Sequence, residues 1–131
     1  MKKTLMLIVL LLVSVPALAA KEKTAETNLS PEQIEANYTK AIENRTAAIL
    51  QALALSNTNQ ITKVHDLIIA QWRALRAWHD ENDTRLKAAQ SDTKAVAPIR
   101  ASLKKLHAEF IAGLSEYLTP EQIETVKDKM T

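Results

Sequence analysis

One long amphipathic stretch, Ile61 to Ala89, constrains the fold of this chain more than any other part of the sequence. Its apolar residues recur every three or four positions, which places their side chains on one face of an α-helix. That face consists of Ile61, Val64, Ile68, Trp72, Leu75 and Leu86. Charged residues such as Lys63, Arg73 and Asp80 lie away from it. A helix with one apolar face must bury that face, so we predict that neighbouring helices cover it.

The flanking segments have the same helical spacing and clear helix starts. Ser30 and Gln33 fit a capping box at the start of a helix that we predict at about 31–54. A third helix is predicted to begin between 93 and 98, and a short fourth helix covers about 120–130. The chain contains a single glycine and four prolines, which favours long helices joined by short loops. We therefore predict an all-α fold, an antiparallel three-helix bundle with a short fourth C-terminal helix.

The predicted turn near 92 and 93 gives a register for the second helical hairpin. Folding the chain back at this point sets Trp72 opposite Gly113 and Leu86 opposite Ile99. The first pair is plausible because a glycine leaves room for an indole ring. We also expect Trp72 to lie in the core, and Trp78 to pack on the fourth helix or remain partly exposed.

The first residues have the features of a secretory signal peptide. Lys2 and Lys3 precede an apolar run from Leu5 to Val15, and the small residues Ala17-Leu18-Ala19 follow. We predict cleavage after Ala19 or Ala20, which sends the mature protein to the periplasm or outside the cell. The predicted organisation is a signal peptide at 1–19, a flexible arm at 20–29 and a single helical domain at 30–131.

The composition narrows the possible functions. Of the 17 basic residues, Lys2 and Lys3 belong to the predicted leader, which leaves 15 basic against 15 acidic residues in the mature chain. This neutral balance argues against a nucleic-acid partner, and we expect no membrane association after cleavage. The chain has no cysteine and no glycine-rich phosphate loop. We therefore expect a noncatalytic protein without a cofactor.

Two histidines interrupt the apolar faces of the predicted helices. The predicted register brings His79 level with His107, and places Glu35 and Tyr38 from the first helix near the same level. One hypothesis is a divalent-metal site, with zinc as the natural ion, formed by His79, His107, Glu35 and Asp83. The alternative is a polar core cluster in which His79, Asn82, His107 and Tyr38 satisfy one another by hydrogen bonding. His65 is predicted to be a surface residue.

A seven-residue sequence occurs twice. Leu29–Glu35 reads LSPEQIE and Leu118–Glu124 reads LTPEQIE. Each copy is typical of a helix start, and the form L-[ST]-x-x-Q resembles the LTxxQ motif of the periplasmic Spy and CpxP family. That resemblance implies a stress-related periplasmic chaperone with a cradle-like helical dimer. The neutral mature chain lacks the basic charge expected on such a cradle.

A second resemblance covers more of the chain. The segment from Tyr38 to Asp83 is similar to an exported bacterial family catalogued as domain of unknown function 3826 (DUF3826). The similar residues are Ile42, Arg45, Gln71, Trp72-Arg73, Leu75, His79-Asp80 and Asp83, together with 118–122, 126–128 and 130–131. The resemblance implies no activity, but it implies that the chain usually continues beyond Thr131. We accordingly expect a chain truncated after the fourth helix, whose apolar side is then exposed and either frays or is covered by self-association.

These observations favour an exported binding or interaction module, whose partner is a second copy of the chain or another envelope protein. A periplasmic stress chaperone similar to Spy and CpxP is the first alternative. A divalent-metal sensor or enzyme that uses His79 and His107 is the second.

Overall fold

The computed structural model describes residues 28–131, and within that range the chain is helical without a β-strand. The four helices are α1 (Pro31–Leu53), α2 (Thr58–Ala88), α3 (Thr93–Ser115) and α4 (Pro120–Met130). The predicted all-α class and the three-helix bundle with a short fourth helix are confirmed. The predicted signal peptide, and the predicted arm up to residue 27, lie outside the described residues. Contacts divide the chain into two compact units, which meet in sequence at Thr39 and Lys40.

Polar side chains fix the helix starts. In α4, Thr119 Oγ1 accepts from Gln122 N at 3.2 Å, and Gln122 Oε1 accepts from Thr119 N at 2.9 Å. Asn57 caps α2 by accepting from the backbone N–H of Gln60 at 3.1 Å. Asp92 caps α3: its Oδ1 accepts from the backbone N–H groups of Lys94 at 3.0 Å and Ala95 at 3.3 Å. These bonds satisfy N–H groups that have no partner inside a helix, and they explain where each helix begins.

The core of the unit from Lys40 to Thr131 joins all four helices. Its buried apolar residues are Ile49, Leu53, Val64, Ile68, Phe110, Leu114, Leu118, Ile123 and Val126. The expectation that α4 exposes its apolar side is wrong. Val126 is fully buried and Met130 packs against the same core, because α4 folds back onto α3.

The predicted register of the α2–α3 hairpin is wrong by about one helical turn. A Cβ atom at Gly113 would lie 3.0 Å from Cδ2 of Leu67, so Leu67 rather than Trp72 lies against the glycine. The reason is the position of the turn: α2 ends at Ala88 and Asp92 caps α3, so the turn comes earlier than predicted. Opposed residues on α2 are therefore shifted toward its start.

The shift changes the roles of the two tryptophans. Trp72 is half-buried and packs against the core, with the guanidinium carbon of Arg45 5.7 Å from its ring centroid. Trp78 is buried, and its Nε1–H donates to Ser102 Oγ on α3 at 2.8 Å. The prediction that Trp78 packs on the fourth helix or stays partly exposed is wrong. Ser102 gives the indole N–H the partner that a buried donor needs.

Candidate interaction surface

The two copies of the duplicated heptapeptide form the same local structure. In the first copy Ser30 Oγ accepts from Gln33 N at 3.2 Å, and Gln33 Oε1 accepts from Ser30 N at 2.9 Å. The second copy makes the same two bonds at the same two distances. In both copies an apolar residue before the cap is followed by isoleucine at the fourth helical position, the pattern of a hydrophobic staple. Local sequence thus gives both helix starts one geometry.

The two copies differ in exposure. Leu118 and Ile123 are each 7% exposed and belong to the core. Their equivalents in the first copy, Leu29 and Ile34, are 40% and 47% exposed and are the large apolar side chains at the surface of the described chain. We call residues 28–36, which contain this exposed copy, the N-terminal contact segment. An exposed apolar pair on an ordered helix start is a surface on which another molecule can bury area.

The N-terminal contact segment is also acidic. Residues 28–39 contain Glu32 and Glu35 and no basic residue, which gives a net charge of −2. Both carboxylates are exposed. Acidic side chains are favourable at a helix start because they face the positive end of the helix dipole. The segment therefore combines apolar contact area with negative charge.

A cleft opens between the end of α2 and the start of α3, within the unit that begins at Lys40. Its volume is about 800 Å³. The lining residues are Asp83, Thr84, Leu86, Lys87, Gln90, Thr93, Val96, Ala97 and Arg100. Leu86 and Val96 are half-buried, whereas Lys87 and Arg100 are exposed. We call this site the hairpin cleft; it has apolar walls with a cation on each helix.

The surroundings of the hairpin cleft are basic. From Asp83 to Lys105 the chain has six basic and two acidic residues, a net charge of +4. Asp83 lines the cleft, but its Oδ1 already accepts a hydrogen bond from His79 Nδ1 at 2.9 Å. The cleft therefore suits a ligand with apolar groups and negative charge.

The structure does not bring the predicted metal ligands His79 and His107 together. His79 is exposed and paired with Asp83, because Trp78 rather than His79 points toward α3. His107 Nδ1 accepts from Gln71 Nε2 at 3.4 Å, and Gln71 lies about 12 Å along α2 from His79 at 1.5 Å per residue. Among residues 28–131 no group of three or more His, Cys, Asp or Glu side chains could hold a metal ion. The zinc hypothesis stays a prediction.

The remaining residues of the predicted polar sites lie in different surroundings. Asn82 is buried; its Nδ2 donates to the Trp78 carbonyl at 2.8 Å, and its Oδ1 accepts from Arg85 at 3.3 Å. Glu35 is exposed and Tyr38 is half-buried, both on the part of α1 that belongs to the unit ending at Thr39. The side-chain amide of Asn82 is thus part of the interior of the α2–α3 hairpin, whereas His79 and His107 are at its surface.

His65 makes a contact between two helices that the sequence did not predict. Its Nε2 lies 2.8 Å from Glu43 Oε2 on α1, and its Nδ1 lies 3.0 Å from Asp66 Oδ1. The hydrogen bond to Glu43 and then that to Asp66 raise the pKa of His65 above its usual value of 6.5, against a smaller opposing effect of burial. The two carboxylates contact opposite ring nitrogens and therefore do not converge on one ion. His65 links α1 to α2.

Within residues 28–131 the chain is a small helical bundle that carries the exposed N-terminal contact segment and, in the unit that begins at Lys40, the open hairpin cleft. A family model described as "Protein of unknown function (DUF3826)" matches residues 39–131, and the chain belongs to that family. No curated protein matches the chain. No helix within residues 28–131 is long and apolar enough to cross a membrane.

Proposed function

We propose that this protein is an exported, noncatalytic interaction module whose contact element is the N-terminal contact segment. The observation that carries this proposal is the difference between the two heptapeptide copies. Leu118 and Ile123 stabilise the chain's own core, whereas Leu29 and Ile34 keep 40% and 47% of their surface in water. The capping box of Ser30 and Gln33 fixes the backbone of the helix start that carries this apolar pair, so a partner would not have to order that backbone.

Export is the second part of the proposal, and it is supported by the basic, apolar and small-residue regions of residues 1–20. Expression of the whole chain with its own leader in a bacterial host tests it directly. Mass spectrometry of the protein recovered from the envelope fraction is expected to give an N-terminus at Ala20 or Lys21. A chain that keeps Met1 and stays in the cytoplasm would contradict the export proposal.

Photo-crosslinking in the same cells tests the contact segment. A photoreactive amino acid is placed at Ile34 in one strain and at Ile123, the matched buried position, in another. We expect a discrete crosslinked product from position 34 that Leu29→Asp abolishes, and no intermolecular product from position 123. Mass spectrometry then shows whether the partner is a second copy of the chain or another protein. Absence of any product from position 34 would contradict the proposal.

A periplasmic chaperone similar to Spy and CpxP would use the same exposed apolar pair differently. It would bind many unfolded clients, so the purified protein would suppress aggregation of a denatured model protein at an equimolar ratio. The Leu29→Asp variant would lose that protection. An interaction module with one defined partner gives no such protection, and this assay therefore separates the two functions.

A further inference from the structure

We propose that the N-terminal contact segment of one copy docks in the hairpin cleft of a second copy, and that the second copy does the same in return. This inference rests on the proposed interaction function and names its partner. The result is a two-fold symmetric dimer, in which each chain contributes one segment and one cleft. Three matches between segment and cleft support it: size, apolar character and charge.

The hairpin cleft has the volume of a short piece of helix. A helix about 10 Å across rises 5.4 Å per turn, so one turn occupies roughly 400 Å³. The cleft of about 800 Å³ therefore accepts about two turns. Two turns correspond to about seven residues, close to the six helical residues, 31–36, of the contact segment.

The N-terminal contact segment and the hairpin cleft both present apolar side chains that remain partly in water. The segment presents Leu29 and Ile34, whose surfaces remain 40% and 47% exposed. The cleft presents Leu86 and Val96, which are half-buried between α2 and α3, with Ala97 beside them. Docking would remove both sets of apolar atoms from water together, which is the main favourable contribution to protein association.

The charges of the two surfaces are opposite. The segment has a net charge of −2 from Glu32 and Glu35, and the region from Asp83 to Lys105 has a net charge of +4. Lys87 and Arg100 line the cleft itself, one on each helix. Opposite potentials favour this pairing, and they disfavour contact between two acidic segments or between two basic clefts.

Charge reversal on each surface gives a test that a change in folding cannot imitate. One variant carries Glu32→Lys and Glu35→Lys, and a second carries Lys87→Glu and Arg100→Glu. In the first variant segment and cleft are both positive. In the second, the two cations that line the cleft become anions facing the acidic segment, and the net charge of residues 83–105 falls from +4 to zero. Each variant alone is therefore expected to associate at least about fivefold more weakly than wild type. An equimolar mixture of the two variants restores opposite charges at both contacts, and it is expected to recover the wild-type affinity.

The duplicated heptapeptide offers a matched control. Glu121→Lys with Glu124→Lys makes the same charge change in the second copy, whose apolar residues are in the core. This control is expected to associate as wild type does. Circular dichroism and melting curves of all variants establish that each remains folded.

The measurement is sedimentation velocity of protein purified after expression of the whole chain, from about 5 to 300 µM, the range of weak interfaces. A wild-type dimer that each reversal weakens and the mixture restores would support the proposal. A monomer at every concentration, or a mixture no better than either variant alone, would overturn it. If the crosslink from position 34 identifies another protein while the wild type stays monomeric, the interaction function holds and self-docking is excluded.

Discussion

The duplicated heptapeptide permits one substitution to be made twice in the same local sequence. We predict that Ile123→Ala strongly destabilises the protein and that Ile34→Ala does not. Both isoleucines occupy the fourth position of a helix with an identical capping box. They differ in burial, since Ile123 is 7% exposed and Ile34 is 47% exposed. The comparison therefore isolates the contribution of burial from that of helix propensity.

The magnitude follows from the atoms removed. Replacing isoleucine by alanine deletes three carbons, and at about 0.8 kcal/mol for each buried methylene the transfer cost is roughly 2.4 kcal/mol. The cavity left among the core residues raises the expected loss for Ile123→Ala to about 3 kcal/mol. For Ile34→Ala about half of the side chain is already in water, and alanine favours the helix by a few tenths of a kcal/mol. The buried half of the side chain is worth about 1.3 kcal/mol on the same scale, so we expect a net loss of about 1 kcal/mol or less at this site.

Urea denaturation followed by circular dichroism at low concentration, about 2 µM, measures both changes on the monomer. A loss of about 3 kcal/mol in a domain of this size corresponds to a fall in Tm of roughly 12–24 °C for Ile123→Ala. The Tm of Ile34→Ala should fall by no more than about 4–8 °C. Equal losses at the two positions would mean that Ile34 is buried in solution, and the basis of the proposed contact segment would be removed.

Three further predictions concern other sites. Ala54 directly follows the last residue of α1 and has a φ of 51°, a left-handed conformation that glycine adopts more easily. Ala54→Gly should therefore stabilise the protein by about 0.5–1 kcal/mol in urea denaturation, and any loss of stability would contradict this. Glu43 and Asp66 raise the pKa of His65 in the folded protein above its usual 6.5. The protonated imidazole therefore stabilises the folded state fully below pH 6.5, and this stabilisation is lost as the pH rises through the folded-state pKa. The stability difference between wild type and His65→Gln should therefore be larger at pH 5.5 than at pH 8.5, and a constant difference would argue against the pairing. Zinc should leave the Tm unchanged in wild type and in the His79→Ala, His107→Ala double variant; a rise in wild type alone would establish a metal site.

The sequence was sufficient to predict the helices because their signals are local. The starts of α1 and α4 depend on hydrogen bonds between residues three apart, and the apolar face of α2 depends on a periodicity that spans many turns. Such signals do not depend on knowing which elements meet. The sequence therefore predicted the all-α class and the start of α4 at residue 120 correctly. The family was also recognised from the sequence, through its resemblance to DUF3826.

The relative positions of the helices were harder to predict because a small error in a turn moves every contact beyond it. Asp92 caps α3 in the structure, whereas the prediction allowed a start as late as Pro98. The earlier turn places Leu67 instead of Trp72 at Gly113, and it separates His79 from His107 along the hairpin. A site that requires side chains from two helices to meet cannot be derived while the register is uncertain by one turn.

The two heptapeptides show that a helix start and its burial depend on different parts of the sequence. The capping box needs only the residues from the cap to the third helical position, and these are nearly the same in both copies. Burial requires that the apolar face continue beyond Ile123, as it does through Val126 and Met130 in α4. In α1 the position equivalent to Val126 is Asn37, and the apolar residues on the same face as Ile34 are Tyr38, which is half-buried, and Ile42, which is buried. Burial in α1 therefore begins about one turn after Ile34, which leaves the first copy exposed although its capping box matches that of the second copy.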